Sequence, residues 1–517
     1  MIQPGMEAFK RLCGRYNLIP VTKTIMADTE TPIRVFQQLS DDPYCFLLES
    51  VEGGAKWARY SFIGTDPFLV VRGKGGTIEV ERKGSVEHVS EQPIHYLRKL
   101  LSGYASPQLD GFPRFMGGAV GFFGYDLLQY YEKKLSPHRV DDLQMDDIQF
   151  MFCDQIIVFD HLKQQMHVVA NAHVPDGADE GQIHAAYAEA GERIEGTLRR
   201  LHGGVAAGYT AAARTVSGPV PVDAADLTSN VTKEQFLANV ERAKEYIRAG
   251  DIFQVVLSQR FEMDTDVSPL HVYRVLRTMN PSPYMYYLKM GEDTIVGTSP
   301  ELLVRVEGDK VQTRPIAGTR PRGATPEEDQ RLEQELLADE KELAEHLMLV
   351  DLGRNDIGRV SKPGTVQLDA YMDIEKYSHV MHIVSNVSGT LREDRDFYDA
   401  FLSCMPAGTV SGAPKLRAME IIAELERESR GAYAGAIGYL GFSGNLDTCI
   451  TIRTIIFKGH KAYVQAGAGI VWDSVPIREY EETVNKAKAL LSSIRTAEAI
   501  FGGERYAAVT VNQDYYR

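Results

Sequence analysis

What most constrains this chain is how its β-type runs are punctuated. From about Val35 to Val169, short runs such as Tyr44-Cys45-Phe46-Leu47-Leu48, Phe68-Leu69-Val70-Val71-Arg72 and Gln155-Ile156-Ile157-Val158-Phe159 alternate with Gly and Pro. Residues 178–202 then carry Ile194, Leu198 and Leu201 at helical spacing. Gly203 to Asn230 is rich in Gly, Ala, Pro and Ser without a period and reads as a linker. Thr232 is placed to cap a helix bearing Phe236, Val240, Ala243 and Ile247, with Gly250 just past its end. Strands and helices mix from there to about residue 497. Neat βαβ alternation is missing throughout, which predicts an α+β fold with large, mostly antiparallel sheets. The text divides into an N-terminal region at 15–175, a helix and linker at 176–230, and a C-terminal region at 231–497. A chain of 517 residues is long enough for two interleaved domains with large cores.

The formal charge of −15 argues against general nucleic-acid binding and against an anionic membrane surface. An anionic substrate would need local cations or a metal. The five cysteines, Cys13, Cys45, Cys153, Cys404 and Cys449, are scattered and never spaced C-x-x-C, as expected of reduced thiols. No apolar run approaches a membrane span and the first residues lack an apolar signal core, so the expected location is the cytoplasm.

Two helical segments each carry glutamates three residues apart, Glu342 with Glu345 and Glu479 with Glu482. That spacing puts both carboxylates of a pair on one helix face. If the helices face each other, four carboxylates surround one small space, and Mg²⁺ suits an all-oxygen site that keeps some waters. A structural reading stays open, because Asp339 three residues before Glu342 resembles a capping box, and Ser474 and Pro476 mark the second helix start. Both pairs thus sit where the helix dipole tolerates anions. Leu336, Leu343, Leu347 and Val350 form an apolar stripe beside the first pair, and Ala487, Leu490 and Leu491 continue the second inward.

Glycine-rich segments accompany them: Pro315 to Arg320, Pro406 to Pro414, Tyr433 to Gly444, and Ala466-Gly467-Ala468-Gly469. Glycine in β-type text permits close backbone approach to a ligand or simply tight sheet packing. None is a phosphate loop or a dinucleotide fingerprint. His379 and His382 lack nearby cysteine ligands, which favours acid–base work for one of them over zinc. Arg453 follows a β-type run and could clamp a carboxylate bidentately.

Together these segments resemble the chorismate-utilising enzymes, and within them the anthranilate-forming branch. The resemblance runs from about Ile19 to Leu491 and is densest in Ser299-Pro300-Glu301, Pro315 to Gly323, Asp339 to Arg359, Tyr377 to His382, Met405 to Pro414, Leu446 to Arg453 and Gln465 to Ala487. It implies large sheets in an orthogonal β-sandwich with outer helices, and conversion of chorismate and ammonia to anthranilate and pyruvate. Ala317 stands where para-aminobenzoate-forming relatives typically have a nucleophilic lysine, and Gln254 where isochorismate-forming relatives have a water-activating lysine. By position, Glu345 and Glu482 are implied to contact Mg²⁺ while Glu342 and Glu479 hold its waters. Glu301 is implied as the acid for the departing 4-hydroxyl, Thr409 as its helper, and His382 as the histidine of the pyruvate-eliminating step. Gly318, Thr319, Tyr433, Arg453, Gly467, Ala468, Gly469 and Lys486 are implied to position the substrate. Glu49 and Ser50, with Pro283, Tyr284 and Met285, resemble the two halves of a tryptophan feedback site, Glu49 or nearby carbonyls taking the ammonium and Met285 with its neighbours the indole. No cysteine lies in a G-x-C-x-G loop, so ammonia is expected from a separate glutaminase subunit. The alternatives are an aminodeoxychorismate synthase or isochorismate synthase of the same family, or a catalytically silent tryptophan-sensing subunit; intact Glu301, Glu345, His382, Arg453 and Glu482 count against the last.

Overall fold

The computed structural model describes residues 2–50, 59–82, 84–202, 216, 218–223, 227–377 and 380–502. The β-type runs are strands, at Tyr44–Glu49, Leu69–Lys74 and Gln155–Asp160. Every ladder between the described strands is antiparallel, as the missing crossover helices require. They form two large sheets, of 13 and 12 described strands, and neither closes into a barrel.

Both sheets run across the sequence halves. In the first, the N-terminal strands end on Tyr44–Glu49, which pairs with Tyr284–Met290 (Glu49 opposite Met285). In the second, Gly118–Phe123 pairs with Ala436–Gly441. Period-two alternation then divides the apolar residues between layers. Phe122, Met151, Ile437 and Cys449 of the second sheet meet Phe46, Ile156, Tyr286 and Ile456 of the first in the core between them. Their neighbours Phe123 and Phe150 face outward, against a layer that includes Leu97 and Phe401. The outer face of the first sheet is covered by helices that include Pro269–Met279 and Pro476–Phe501.

Local signals hold with three corrections. Helix Lys233–Arg248 is capped by Thr232, whose hydroxyl accepts from Gln235 N at 3.2 Å, and Gly250 follows with φ of 82°. The expected stripe from Leu336 to Val350 spans two helices, Pro326–Ala338 and Glu340–Gly358, which break at Asp339; Leu347 on the second is exposed. Asp339 caps the second helix by accepting from Lys341 N and Glu342 N, but the Glu342 side chain turns to Arg320 at 3.5 Å instead of closing a capping box. The linker reading falls largely on residues 203–215, 217 and 224–226, outside the described ones. Within it, however, Val220 and Val222 are buried and Val220 exchanges hydrogen bonds with Ser492 and Thr496, so that part is docked on helix Pro476–Phe501.

Arg430 ties three elements together behind the site. Fully buried, it donates to the Glu426 carboxylate at 2.6 and 2.7 Å, to the Val410 carbonyl at 2.7 Å and to the Val256 carbonyl at 2.8 Å. Removing one partner of a buried pair strands the other charge, at about 3–5 kcal/mol. Arg430→Met should therefore lower the thermal midpoint clearly in calorimetry, and an unchanged midpoint would show that Glu426 is held by other means.

Candidate active site and an adjoining cavity

Glu301 ends the turn after strand Asp293–Ser299, where its backbone carbonyl accepts from Ile450 N at 3.0 Å. Its side chain is buried, and Thr409, on the short turn Gly408–Val410, donates to it at 3.1 Å. Burial pushes the carboxyl up to about 8, while the Thr409 bond opposes that rise. At neutral pH this group holds a proton and can deliver it.

His382 lies on strand Val380–Thr390, with Nδ1 at 2.9 Å from the Gly318 carbonyl and 3.1 Å from the Thr319 hydroxyl. Gly318 occupies the left-handed region at φ of 69°, at a register shift where the strand bends towards the histidine. Burial and the nearby Arg453 charge lower the His382 pKa, partly offset by the Gly318 bond. The ring is thus neutral at pH 7 and able to accept a proton. His379 lies outside the described residues.

Arg453 is half-buried and itself left-handed, with φ of 52°. Burial lowers its pKa and the Glu482 carboxylate partly restores it. Its guanidinium makes no hydrogen bond or ion pair among the described residues, so its fork is available to a ligand. Together with Glu482 and Lys486 it lines a cavity of about 450 Å³. Lys486 reaches back from helix Pro476–Phe501 to the Gly467 carbonyl at 2.9 Å and to Glu482 at 2.7 Å. Gly467 has no room for a side chain: a Cβ would sit 2.7 Å from the buried Tyr433 hydroxyl. Ala468 points the other way, into the core, and offers the site only its backbone.

The four glutamates come to one region. Burial raises Glu345, and the Glu342 and Glu482 charges raise it further. Burial also raises Glu479, again with a contribution from Glu482. Among the described residues, no three carboxylate, histidine or cysteine groups close on one point as a compact metal site. Arg320 pairs with Glu342 and Lys486 with Glu482, which leaves Glu345 and Glu479 as the carboxylates without a cation bound to them among the described residues; an all-oxygen face of this kind fits a hard divalent ion that keeps part of its water shell. Gln254, which belonged to no expected binding set, also stands here: its amide donates to Glu345 at 3.4 Å, beside Gly469, while its Oε1 is buried without a partner among the described residues. Its place at the start of strand Gln254–Asp264, opposite Ala413 and next to the pairing of Val255 with Ile470, is set by sheet register, which the local sequence does not display.

The remaining expected residues meet elsewhere. Glu49, Ser50, Pro283, Tyr284 and Met285 border one cavity of about 500 Å³ between the sheets, with Phe62, Arg305 and Tyr439. Two details differ from expectation. The Glu49 carboxylate is already engaged, accepting from Tyr273 at 2.7 Å and paired with Arg277 at 3.0 Å, so a ligand ammonium would turn to carbonyls. The Met285 side chain packs beneath the helices with Tyr287, whereas Tyr284 and Tyr286 supply the aromatic lining. The Ser50 hydroxyl is buried without a hydrogen-bond partner among the described residues.

Residues 26–492 match the chorismate binding enzyme family, and the chain belongs to it. Among its relatives, the anthranilate synthase component 1 of Acetivibrio thermocellus is 55% identical over 501 residues, covering 97% of this chain and 100% of that one. That of Aquifex aeolicus is 46% identical over 496 residues, covering 96% and 98%. The crystal structure of anthranilate synthase component I from Streptococcus pneumoniae superposes with a TM-score of 0.73 at 38% identity, covering 90% of this chain and 98% of that one.

The raised Glu301 pKa carries a stability signature. Between the unperturbed value of 4.5 and about 8, the folded chain holds a proton that the unfolded chain releases. Stability from this group is therefore full below 4.5 and falls as pH rises through about 8. The difference in thermal midpoint between wild type and Glu301→Gln should change across that window and flatten above it. Parallel curves would mean that Glu301 is ionised in the folded protein.

Proposed function

We propose that this chain is the synthase subunit of an anthranilate synthase, converting chorismate and ammonia to anthranilate, pyruvate and water. Near-full-length relatives named for that activity support the reaction, and the observation that carries the assignment of roles is the contrast between Glu301, whose pKa burial raises to about 8, and His382, whose pKa burial and the nearby Arg453 charge lower. Acid and base with separated pKa values are what two successive proton transfers need. Arg453 clamps a substrate carboxylate. The backbone from Gly467 to Gly469 and Lys486 seat the ring, with Tyr433 behind and the Gly318-Thr319 turn at its edge. Glu301 gives its proton to the departing 4-hydroxyl while ammonia adds, and Thr409 orients that carboxyl. His382 takes the proton whose loss accompanies pyruvate elimination. Glu345 and Glu482, with Glu342 and Glu479 beside them, would hold Mg²⁺, which would offset the ring carboxylate and draw electron density from the ring.

Ammonia comes from a separate glutaminase subunit, since no cysteine here sits in a glutaminase loop. Tryptophan is the ligand of the 500 Å³ cavity, its indole against Tyr284 and Tyr286. The N-terminal region, 15–175, serves regulation through that cavity and the region 231–497 carries the chemistry. The cytoplasm is the proposed place of action; among the described residues no helix is long and apolar enough to cross a membrane.

The direct test is purified chain with chorismate, Mg²⁺ and either ammonium or glutamine, the product identified by chromatography. Anthranilate should form with ammonium alone, and glutamine should serve only after a glutaminase is added. Anthranilate from glutamine with the single chain would refute the nitrogen assignment; another aromatic product would refute the reaction.

The metal reading is testable without turnover. The Glu342 and Glu482 charges help to raise the Glu345 pKa and so repel its carboxylate in the metal-free protein. Glu345→Gln should then be at least as heat-stable as wild type without metal, lose most of the Mg²⁺-induced rise in thermal midpoint, and fall by roughly 100-fold or more in kcat, the scale of losing about 2.7 kcal/mol of transition-state stabilisation. An undiminished Mg²⁺ response in that variant would remove Glu345 from the metal site.

A further inference from the structure

Two hydrogen bonds of one residue join the turn that leads to Tyr284, at the cavity wall, to the backbone of Arg453. Thr298 is 2% exposed, on strand Asp293–Ser299 opposite Met285. Its hydroxyl donates to the Asn280 carbonyl at 2.5 Å, and its backbone N–H donates to the Arg453 carbonyl at 3.1 Å.

Each end of that link is constrained. Asn280 terminates helix Pro269–Met279, the helix whose Tyr273 and Arg277 hold Glu49 at the cavity wall, and it opens the turn leading to Pro283 and Tyr284. Arg453 is held at a positive φ that a non-glycine residue adopts at a cost of about 1–3 kcal/mol, so its position depends on what pins its backbone. A ligand that shifts the Asn280 turn therefore pulls on Thr298, and Thr298 holds the strained backbone that aims the guanidinium. The next residues reinforce the direction: Ser299 donates to the Ile450 carbonyl at 2.7 Å and Ile450 N–H donates to the Glu301 carbonyl at 3.0 Å.

We propose that Thr298 is a positioning residue that couples occupation of the cavity to the grip of Arg453 on the substrate carboxylate. This rests on reading the cavity as the tryptophan site. Thr298→Val keeps the N–H to Arg453 and nearly the same volume but loses the hydroxyl to Asn280; Thr298→Ser retains both donors. Coupling of this kind changes affinity by about 5- to 150-fold.

The experiment measures tryptophan binding by equilibrium dialysis, and kcat and KM for chorismate with ammonium and Mg²⁺, with and without saturating tryptophan. Wild type and Thr298→Ser should show a KM raised at least about 5-fold by tryptophan. Thr298→Val should bind tryptophan within about 3-fold of wild type and keep its uninhibited kcat, yet show less than half of that KM response on a logarithmic scale. Thr298→Ala provides the same comparison if valine is not accommodated. A full KM response in both hydroxyl-free variants overturns the proposal, as does loss of tryptophan binding in them, which would make Thr298 part of the binding site instead of a link. Ser50→Phe is the separate control on the cavity: it should abolish tryptophan binding. Wild type that ignores tryptophan, or Ser50→Phe that still binds it, would sink the cavity reading itself and this proposal with it.

Discussion

The pairing of Tyr44–Glu49 with Tyr284–Met290 is the contact on which the rest of the molecule depends. It fuses strands more than two hundred residues apart into one sheet, and a sheet has no freedom to slip by one residue without turning its core side chains to the wrong face. That register puts Phe46, Tyr286 and Leu288 between the sheets and Leu47, Met285 and Tyr287 beneath the helices. With Gly118–Phe123 against Ala436–Gly441 as the second seam, the two sequence regions become one body. The adjoining cavity is a consequence: it opens where the seam meets the space between the sheets, so its wall necessarily comes from both halves.

The second constraint is electrostatic. A chain of charge −15 places Glu301, Glu345 and Glu479 where burial raises their pKa values, in the candidate active site. Cost and function share one cause. Withdrawal from water keeps Glu301 protonated at neutral pH, and the Glu482 charge adds to the rise that burial gives Glu345 and Glu479. Arg453 and Lys486 supply positive charge of different kinds, one as a free fork and one already anchored to Gly467 and Glu482. Arg430 is the opposite case, a cation wholly consumed by structure, closing the sheet edge behind the site through Glu426.

Much of the local structure was legible in the text. Thr232 and Gly250 bracket a helix as their capping chemistry requires, and the runs at Tyr44 and Gln155 are strands because β-type side chains there suit a pleated, buried surface. The break at Asp339 was not legible as a break, since the apolar spacing on either side continues in helical register and only the turn of the chain separates Leu336 from Leu343. Docking of Val220 and Val222 was likewise invisible, because a Gly- and Pro-rich stretch carries no period and its burial is decided by the helix it meets.

The sequence by itself determined the inventory: which residues could carry charge, which glutamates share a helix face, where glycine lets backbone come close, and to which family the ordered blocks belong. Those are properties of spacings of three, four and two, which local geometry enforces. Tertiary structure alone decided the commitments. Glu49 is occupied by Tyr273 and Arg277, Met285 faces away from the cavity it borders, Ala468 gives only its backbone, and Gln254 stands beside Glu345. Each depends on sheet register and on burial, and both are set by contacts between residues far apart in the chain, which no local pattern encodes.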